Sequence, residues 1–364
     1  MTLSDYDQFR PPEPPRKRRF GKAQRSRRRT SEGRGDGSVE MLMVPEVEFT
    51  SYYGHNVVKP PPWGPEVAAY LFLGGVAGGS GLLALGALLT GRNLLRRNAR
   101  LGAMAAVAVG GAALVKDLGR PDRFYNMLRT IKLTSPMSIG SWILTAFSVS
   151  MSLAVAGELD RLTGERIPLG PVRKAVALIE GPAGFAAAAF APPLAAYTAV
   201  LLSDTANPTW NAAHRDLPFV FVSSASLAAG GLAMITTPVR ETRPARALAV
   251  MGVVGDVMAT KYMESRMDPL TVEPLHHGRP GQLMAWSERL AVAGGVGTLL
   301  VGRRRIPAAV CGAALMGASA LTRFGVLAAG IASAKDPKYT VEPQKRRLAA
   351  RRAAGVTEDS ITTA

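Results

Sequence analysis

Long apolar runs separated by short charged connections are the feature that most restricts how this chain can fold. Most of them are near the ~20 residues that cross a hydrocarbon core about 30 Å thick. The runs are Glu66–Leu89, Asn98–Val115, Ile139–Ala156, Ala183–Leu202, Leu217–Ile235, Pro244–Thr260, Gln282–Gly302 and Ile306–Ala334. Because backbone groups in lipid must be paired within their own segment, each run is predicted to be a helix. The sequence therefore predicts an all-α membrane protein with eight transmembrane helices, or with seven if one of the less apolar runs is not a span.

An alanine-rich soluble bundle is the alternative that this pattern argues against. Helices on the surface of a soluble protein carry a polar stripe with a period of about 3.6 residues, and "AAYLFLGGVAGGSGLLALGALL" has none. The formal net charge is +17, but the charged residues concentrate at the two ends and in the gaps between runs. The chain is therefore expected to cross a membrane several times.

The two ends differ from the apolar centre. Residues 1–50 are rich in Pro, Arg and Gly, a composition that predicts a disordered basic tail. This tail lacks the apolar region of a signal peptide, so the first helix is expected to target the chain. The tail could contact anionic lipid, and no folded nucleic-acid-binding module accompanies it. Residues 51–334 are predicted to form the transmembrane domain, and residues 335–364 a polar C-terminal tail.

Metal-binding residues are scarce. Cys311 is the single cysteine, and one thiol cannot hold an iron–sulfur cluster, which usually needs four. The four histidines lie outside the apolar runs, so none is placed to bind haem inside a helical bundle. We therefore expect no haem, no iron–sulfur cluster and no other metal site in this chain.

Polar side chains at the ends of the first three runs are candidate functional residues, because ionisable groups are costly in lipid. Glu66 and Tyr70 are four residues apart and share a helix face, as do Ser138 and Trp142. Since helices one and two return the chain to its starting side, these groups are expected to meet at one surface. The candidates are Glu66, Tyr70, Lys116, Asp117, Arg120, Ser135, Ser138 and Trp142.

The connection "KDLGRPDRFYNMLRTIKLTSP", residues 116–136, lies at that same surface. Pro121 is well placed to begin a helix, and Phe124, Met127, Leu128 and Ile131 have the spacing of one apolar face. We therefore predict a short amphipathic helix in the membrane interface that covers the polar cluster. Such a covered cluster at membrane depth suits an amphiphilic ligand with carbonyl oxygens, and a quinone has this chemistry.

Two further charged residues lie within later runs. Asp256 is in the middle of the sixth run and Arg323 is well inside the eighth. Either the two form a buried structural pair, or they act as a proton relay. A proton-coupled transporter or a proton-translocating module is therefore the alternative function, and "APP" at Ala191–Pro193 predicts a broken helix of the kind that transporters use. A membrane anchor that binds no substrate is the third possibility.

Three stretches give a resemblance to a known family. They are "SYYGHNVVKPPPWGPEVAAYLFLGGVAGGSGLLA", "DLGRPDRFYNMLRTIKLTSPMSIGSWIL" and "SAKDPKYTVEPQ". They resemble the NrfD/PsrC membrane subunits of complex iron–sulfur molybdoenzymes, from about Thr50 to Gln344. The resemblance implies two four-helix bundles without haem, in a subunit of the bacterial cytoplasmic membrane. It also implies electron transfer between a four-cluster ferredoxin-like iron–sulfur subunit and the quinone pool of a respiratory chain.

The resemblance also assigns roles to residues. The polysulfide reductase member has a histidine where this chain has Tyr70. A tyrosine can donate a hydrogen bond to a quinone carbonyl, but it is a poorer proton shuttle than histidine. Proton delivery is therefore assigned to Glu66 or Asp117, while Tyr70, with Ser138 or Lys116, holds the quinone. Menaquinone is the expected quinone, and a molybdopterin subunit that could oxidise formate is the expected catalytic partner.

The charge of the loops predicts the orientation. The loops after helices one, three, five and seven carry fourteen Lys and Arg residues, and the other three loops carry eight. Since the more basic loops usually face the cytoplasm, the termini are predicted to lie outside. The basic N-terminal tail argues for the opposite orientation.

Overall fold

The computed structural model describes residues 56–355 except 167 and 169. The predicted disordered tail, residues 1–50, lies outside the described residues. The helices are α1 (Pro65–Leu89), α2 (Asn93–Asp117), α3 (Pro136–Leu162), α4 (Val172–Ser203), α5 (Pro208–Ala212), α6 (Leu217–Thr236), α7 (Arg243–Arg266), α8 (Pro269–His276), α9 (Gly278–Val301), α10 (Arg305–Lys335) and α11 (Lys338–Ala353). Two 3₁₀ helices, Pro121–Leu128 and Val239–Glu241, lie between them. The described part of the chain contains no strand, so the all-α prediction is confirmed.

Each predicted run coincides with one of the long helices α1–α4, α6, α7, α9 and α10. Six helices of the described chain are long and apolar enough to cross a membrane: α1, α2, α3, α4, α6 and α10. Helices α7 and α9 have 24 residues each but are not among those six. A multi-pass membrane protein is therefore supported, and the count of eight spans stays a prediction.

Helix α4 corrects one expectation. The sequence "APP" predicts a broken helix, but α4 continues from Val172 to Ser203 with Pro192 and Pro193 inside it. The predicted break is wrong. Membrane helices tolerate internal proline where neighbouring helices and small local adjustments satisfy the freed carbonyl groups.

The long helices contact one another in two groups of four. Helices α1–α4 form the first bundle, and helices α6, α7, α9 and α10 form the second. Helix α1 joins the two bundles, because it packs against α6 and α10 as well as against α2 and α4. Its glycines allow this close approach: a Cβ at Gly78 would lie 2.7 Å from the carbonyl oxygen of Ala191, and one at Gly79 would lie 2.8 Å from that of Ala225.

Helix order gives the molecule two ends. We call the α11 face the end where α1, α3, α6 and α9 begin, and where the short helices α5, α8 and α11 contact one another. The opposite face is the end where α2, α4, α7 and α10 begin. Most of the predicted polar C-terminal tail within the described residues is helix α11, which is fixed to α8 by the ion pair of Lys338 Nζ with Glu273 Oε2 at 2.8 Å.

Candidate functional site

A largely apolar cavity of about 430 Å³ lies in the first bundle, close to the α11 face. Helices α1, α2, α3 and α4 and the 3₁₀ helix Pro121–Leu128 all contribute to its wall. The lining residues are Trp63, Val67, Tyr70, Leu71, Gly111, Leu114, Val115, Asp117, Leu118, Phe124, Met127, Leu128, Met137, Ser141, Leu144, Thr145, Ser148, Val149, Tyr197 and Leu201. Apolar walls with a few polar groups are typical of small-molecule sites.

Tyr70 is the most buried of the polar side chains in this wall. Its side chain is 3% exposed, and its hydroxyl has no hydrogen-bond partner among the described residues. The ring packs against Gly110 of α2, where a Cβ would lie 3.5 Å from the ring carbon Cδ2. A buried hydroxyl without a partner is costly, so this phenol is suited to hydrogen-bond a ligand in the cavity.

Asp117 and Trp63 line the cavity at its outer end. Asp117 is the last residue of α2 and lies beside Gly64, at the start of α1. The ring of Trp63 stacks on that of Trp210 with a centroid distance of 5.6 Å. Trp210 in turn donates from its indole nitrogen to the carbonyl of Val326 at 2.7 Å, which fixes this part of the wall to the second bundle.

The 3₁₀ helix Pro121–Leu128 covers the cavity. Phe124, Met127 and Leu128 line it, so the prediction of a short helix with an apolar face is confirmed for these three residues. The same prediction is wrong for Ile131, which lies beyond the end of the helix and is 65% exposed. The 3₁₀ form has 3.0 residues per turn, so residues 124 and 127 stand directly above one another.

Three of the predicted charged residues, Glu66, Lys116 and Arg120, are not in the lining. The Nζ of Lys116 lies 3.2 Å from Oε1 of Glu66, and the Lys116 side chain is largely exposed. Glu66 also lies next to Gly64, the neighbour of Asp117. The structure therefore brings Glu66, Lys116 and Asp117 together at the mouth, with Asp117 alone of the three lining the cavity.

Ser135, Ser138 and Trp142 lie beside the cavity and contact the connecting segment. The Ser138 hydroxyl accepts from the Lys132 N–H at 3.0 Å and donates to the carbonyl of Thr130 at 3.3 Å. The Trp142 indole N–H donates to the same carbonyl at 3.3 Å. Ser135 accepts from the Ser138 N–H and so caps α3. These three side chains therefore hold against α3 the segment that follows the 3₁₀ helix.

A sequence profile described as "Polysulphide reductase, NrfD" matches residues 55–261. The chain belongs to the NrfD family. The matched region contains the whole lining of the apolar cavity, from Trp63 to Leu201. Among curated proteins no match is found.

Sequence reasoning missed part of the lining of this NrfD-family protein. Ser141, Thr145 and Ser148 lie on one face of α3 and all line the cavity. Their hydroxyls donate to backbone carbonyls within α3, at 2.6 to 2.9 Å, which leaves their oxygens as acceptors. The i, i+4, i+7 spacing of these hydroxyl residues in the sequence predicts that they share one helix face.

Tyr197 of α4 was also missed, and it lines two cavities. The second is a wider cavity of about 790 Å³ that opens near the α11 face, where Asp204, Asn211 and His214 make it polar. Gly140 of α3 leaves room for the Tyr197 ring, which a Cβ at that position would overlap. The phenol ring therefore stands between a polar cavity and the apolar one.

Asp256 and Arg323 are both buried in the second bundle, but no hydrogen bond joins them. The Oδ1 atom of Asp256 and the Nε and Nη1 atoms of Arg323 have no hydrogen-bond partner within the described chain. Arg323 donates from Nη2 to the carbonyl of Phe221 at 2.6 Å, and its guanidinium lies 3.5 Å from the centre of that ring. The two side chains therefore lack the direct contact of a simple structural pair.

Proposed function

We propose that this NrfD-family protein is the quinone-binding membrane subunit of an oxidoreductase complex, and that it exchanges electrons between an iron–sulfur subunit and the quinone pool. The observation that carries the proposal is the buried Tyr70 hydroxyl, which lines an apolar cavity and has no partner among the described residues. A quinone carbonyl would supply the missing acceptor.

The cavity fits a quinone in size and chemistry. Small-molecule sites usually have volumes of roughly 300–1,000 Å³, and this cavity has about 430 Å³. Leu71, Leu114, Leu144 and Val149 supply apolar surface for a ring and an isoprenoid tail. Tyr70 supplies a donor for a quinone carbonyl, and the hydroxyl oxygens of α3 supply acceptors for the O–H groups of a quinol. Menaquinone is the quinone that we expect.

A bound quinone supplies a two-electron, two-proton redox couple. The side chains of this protein would position the quinone ring and deliver protons to it. Tyr70 donates a hydrogen bond to one carbonyl oxygen and so fixes the orientation of the ring. Asp117 holds a proton at the mouth of the cavity, and Glu66, with Lys116 beside it, connects that carboxylate to water. Phe124 and Met127 keep bulk water out of the apolar interior.

The partner subunits are proposed to dock on the α11 face. The segment that covers the cavity exposes four cations, Arg120, Arg123, Arg129 and Lys132. A four-cluster ferredoxin-like iron–sulfur subunit bound there would bring a cluster close to the mouth, and a molybdopterin subunit would complete the complex. Mild-detergent purification followed by mass spectrometry tests this arrangement: both subunits should accompany the chain, and recovery of the chain alone would contradict it.

We further propose a bacterial cytoplasmic membrane with the α11 face outside, as the loop charges favour. The charge of helix α11 favours the opposite orientation, because α11 carries six cations and lies on the face with fewer loop cations. These cations are Lys338, Lys345, Arg346, Arg347, Arg351 and Arg352. An introduced cysteine on α11 that reacts with a membrane-impermeant reagent from outside the cell would support the proposed orientation, and reaction only in inverted vesicles would reverse it.

Replacing Tyr70 by Phe tests the quinone site directly. Quinone binding is measured by quenching of tryptophan fluorescence, because Trp63 lines the cavity. We expect Tyr70→Phe to weaken binding of a menaquinone analogue about tenfold, since the variant loses one hydrogen bond from a buried donor. Tyr125→Phe is the matched control, because Tyr125 is exposed in the segment that covers the cavity. Equal affinity of Tyr70→Phe and the wild type would remove Tyr70 from the site.

A further inference from the structure

A third cavity, a polar one of about 190 Å³, lies in the second bundle. Helices α7, α8, α9 and α10 form its wall, and it is separate from the apolar cavity. Its lining residues are Asp256, Val257, Thr260, Lys261, Glu264, His276, Gly281, Met284, Ala285, Ser287, Glu288 and Thr322. The match to the NrfD profile ends at residue 261, so the parts contributed by α8, α9 and α10 lie beyond it.

The titratable residues of this cavity differ in exposure. Lys261, His276 and Glu288 are exposed, Glu264 is partly buried, and Asp256 is 6% exposed. His276 Nε2 lies 3.3 Å from Oε1 of Glu264. Along α7, Asp256, Thr260 and Glu264 are four residues apart and so share one face. That face leads from the mouth at the α11 face to a single buried carboxylate.

Beyond Asp256, the second bundle is apolar toward the opposite face. Val253, one turn earlier in α7, packs in a cluster with Leu227, Met234 and Leu315, and all four are buried. The polar cavity is therefore open at one end and closed at the other. Ser287 and Thr322, whose hydroxyl oxygens are 2.7 Å apart, add polar groups near its closed end.

The charges that face Asp256 come from several helices. They are Lys261 and Glu264 of α7, His276 of α8, Glu288 of α9 and Arg323 of α10. Helix α6 has no titratable side chain, and those of α1, Glu66 and Tyr70, belong to the first bundle's cavity and its mouth. Arg323 favours an ionised Asp256, whereas burial and Glu288 oppose it.

We propose that this cavity is a proton-binding site, separate from the quinone site, in which Asp256 takes up a proton that enters from the α11 face past His276 and Glu264. The site would give the second bundle a proton-handling function of its own. A buried carboxylate that lines a cavity and has an unpartnered oxygen accepts a proton readily, because neutralisation removes the cost of an isolated charge. The competing interpretation is a permanently ionised Asp256 that serves as counter-ion to Arg323.

Dicyclohexylcarbodiimide tests the proposal on the wild-type chain. This apolar reagent adds to protonated carboxyl groups, and mass spectrometry locates the adduct. We expect labelling of Asp256 that falls about tenfold for each unit of pH once the carboxyl is mostly ionised. Glu180 is the internal control, because it is also buried but accepts hydrogen bonds from Arg100 and Arg161 and should stay unlabelled.

Two results of this experiment would overturn the proposal. If Asp256 stays unlabelled at every pH, as Glu180 does, it is an ionised counter-ion to Arg323. If sodium ions at constant pH and ionic strength suppress the label, the cavity binds sodium and the assignment to a proton is wrong. Loss of the label in Asp256→Asn identifies the modified residue.

One-sided access is tested with introduced cysteines in a Cys311→Ser chain. Thr260→Cys lies between Asp256 and Glu264, and a membrane-impermeant maleimide should label it from the side that also labels Lys345→Cys on α11. Thr298→Cys is the control, because Thr298 is buried in α9 beyond the apolar cluster and should not react from either side. Labelling of Thr260→Cys from the other side, or from neither side, would overturn the proposed entry path.

Discussion

The two bundles each bury a group of charged side chains, and the two groups differ in how they are paired. Near the opposite face, Arg100 and Glu158 are both 2% exposed, and Glu180 is 8% exposed. Glu158 accepts from Arg96 at 2.8 Å and from Arg100 at 3.1 Å. Glu180 accepts from Arg100, and from Arg161 at 2.6 and 2.7 Å. This cluster joins α2, α3 and α4 with its carboxylates satisfied.

Asp256 and Arg323 in the second bundle show the opposite arrangement. Asp256 and Arg323 keep three polar atoms without a hydrogen-bond partner among the described residues. Paired charges can hold helices together, whereas unpaired buried charges destabilise a protein and persist mainly where function requires them. The difference supports a structural role for the first cluster and agrees with the proton site proposed for Asp256.

Glu180→Gln is expected to have the largest effect on stability. The neutral amide leaves the buried Arg100 and the partly exposed Arg161 with Glu158 as their remaining carboxylate partner, and breaking a buried pair costs roughly 3–5 kcal/mol. We expect a loss near the lower limit, about 3 kcal/mol, because the amide oxygen still accepts one hydrogen bond. Unfolding of the purified chain in mild detergent, followed by circular dichroism, measures the change.

Asp256→Asn is the matched variant in the other bundle. It also replaces a buried carboxylate by its amide, but the Oδ1 atom of Asp256 accepts no hydrogen bond within the described chain. We expect the free energy of unfolding to fall by less than about 1 kcal/mol, because a protonated Asp256 would already be uncharged. A loss as large as that of Glu180→Gln would break the comparison and make Asp256 a structural residue.

Several residues that line the apolar cavity, and the helices that carry them, were predictable from the sequence. The runs predicted the positions of the long helices because burial in lipid requires continuous apolar sequence. Tyr70 and Asp117 were predicted near one ligand and do line one cavity, since helix order alone brings the start of α1 beside the end of α2. Phe124 and Met127 were predicted from the spacing of apolar residues, because that spacing depends only on one short segment of the chain.

The sequence did not predict which neighbour each helix face contacts. Ser138 and Trp142 do share a face of α3, but that face meets the carbonyl of Thr130 instead of lining the cavity. Arg100 was counted as a loop cation, and nothing in its local sequence shows that it meets Glu180, eighty residues further along. Spacing along a helix predicts which residues share a face, but not which neighbour that face meets.

The ion pair between α8 and α11 is the partly exposed counterpart of the buried pairs. Its loss should have the smallest effect on stability. Lys338 Nζ hydrogen-bonds both carboxylate oxygens of Glu273, at 2.8 and 3.0 Å, but both side chains are partly exposed. The hydrogen bonds from Lys338 lower the pKa of the Glu273 carboxyl below its ordinary 4.5. A carboxyl with a lowered pKa stabilises the fold above its ordinary pKa, and this contribution is lost as the pH falls through the lowered value.

We therefore expect hydrogen exchange of the amides in α11 to rise slightly as the pH falls below about 4.5, after correction for intrinsic exchange rates. Glu273→Gln should show the raised exchange already at neutral pH. Glu342→Gln is the control, because Glu342 contacts Lys345 within α11 itself. If Glu273→Gln protects α11 as well as the wild type does, apolar contacts hold this helix. If Glu273→Gln destabilises the protein as much as Glu180→Gln does, burial does not determine which charge pairs of this protein are strong and which are weak.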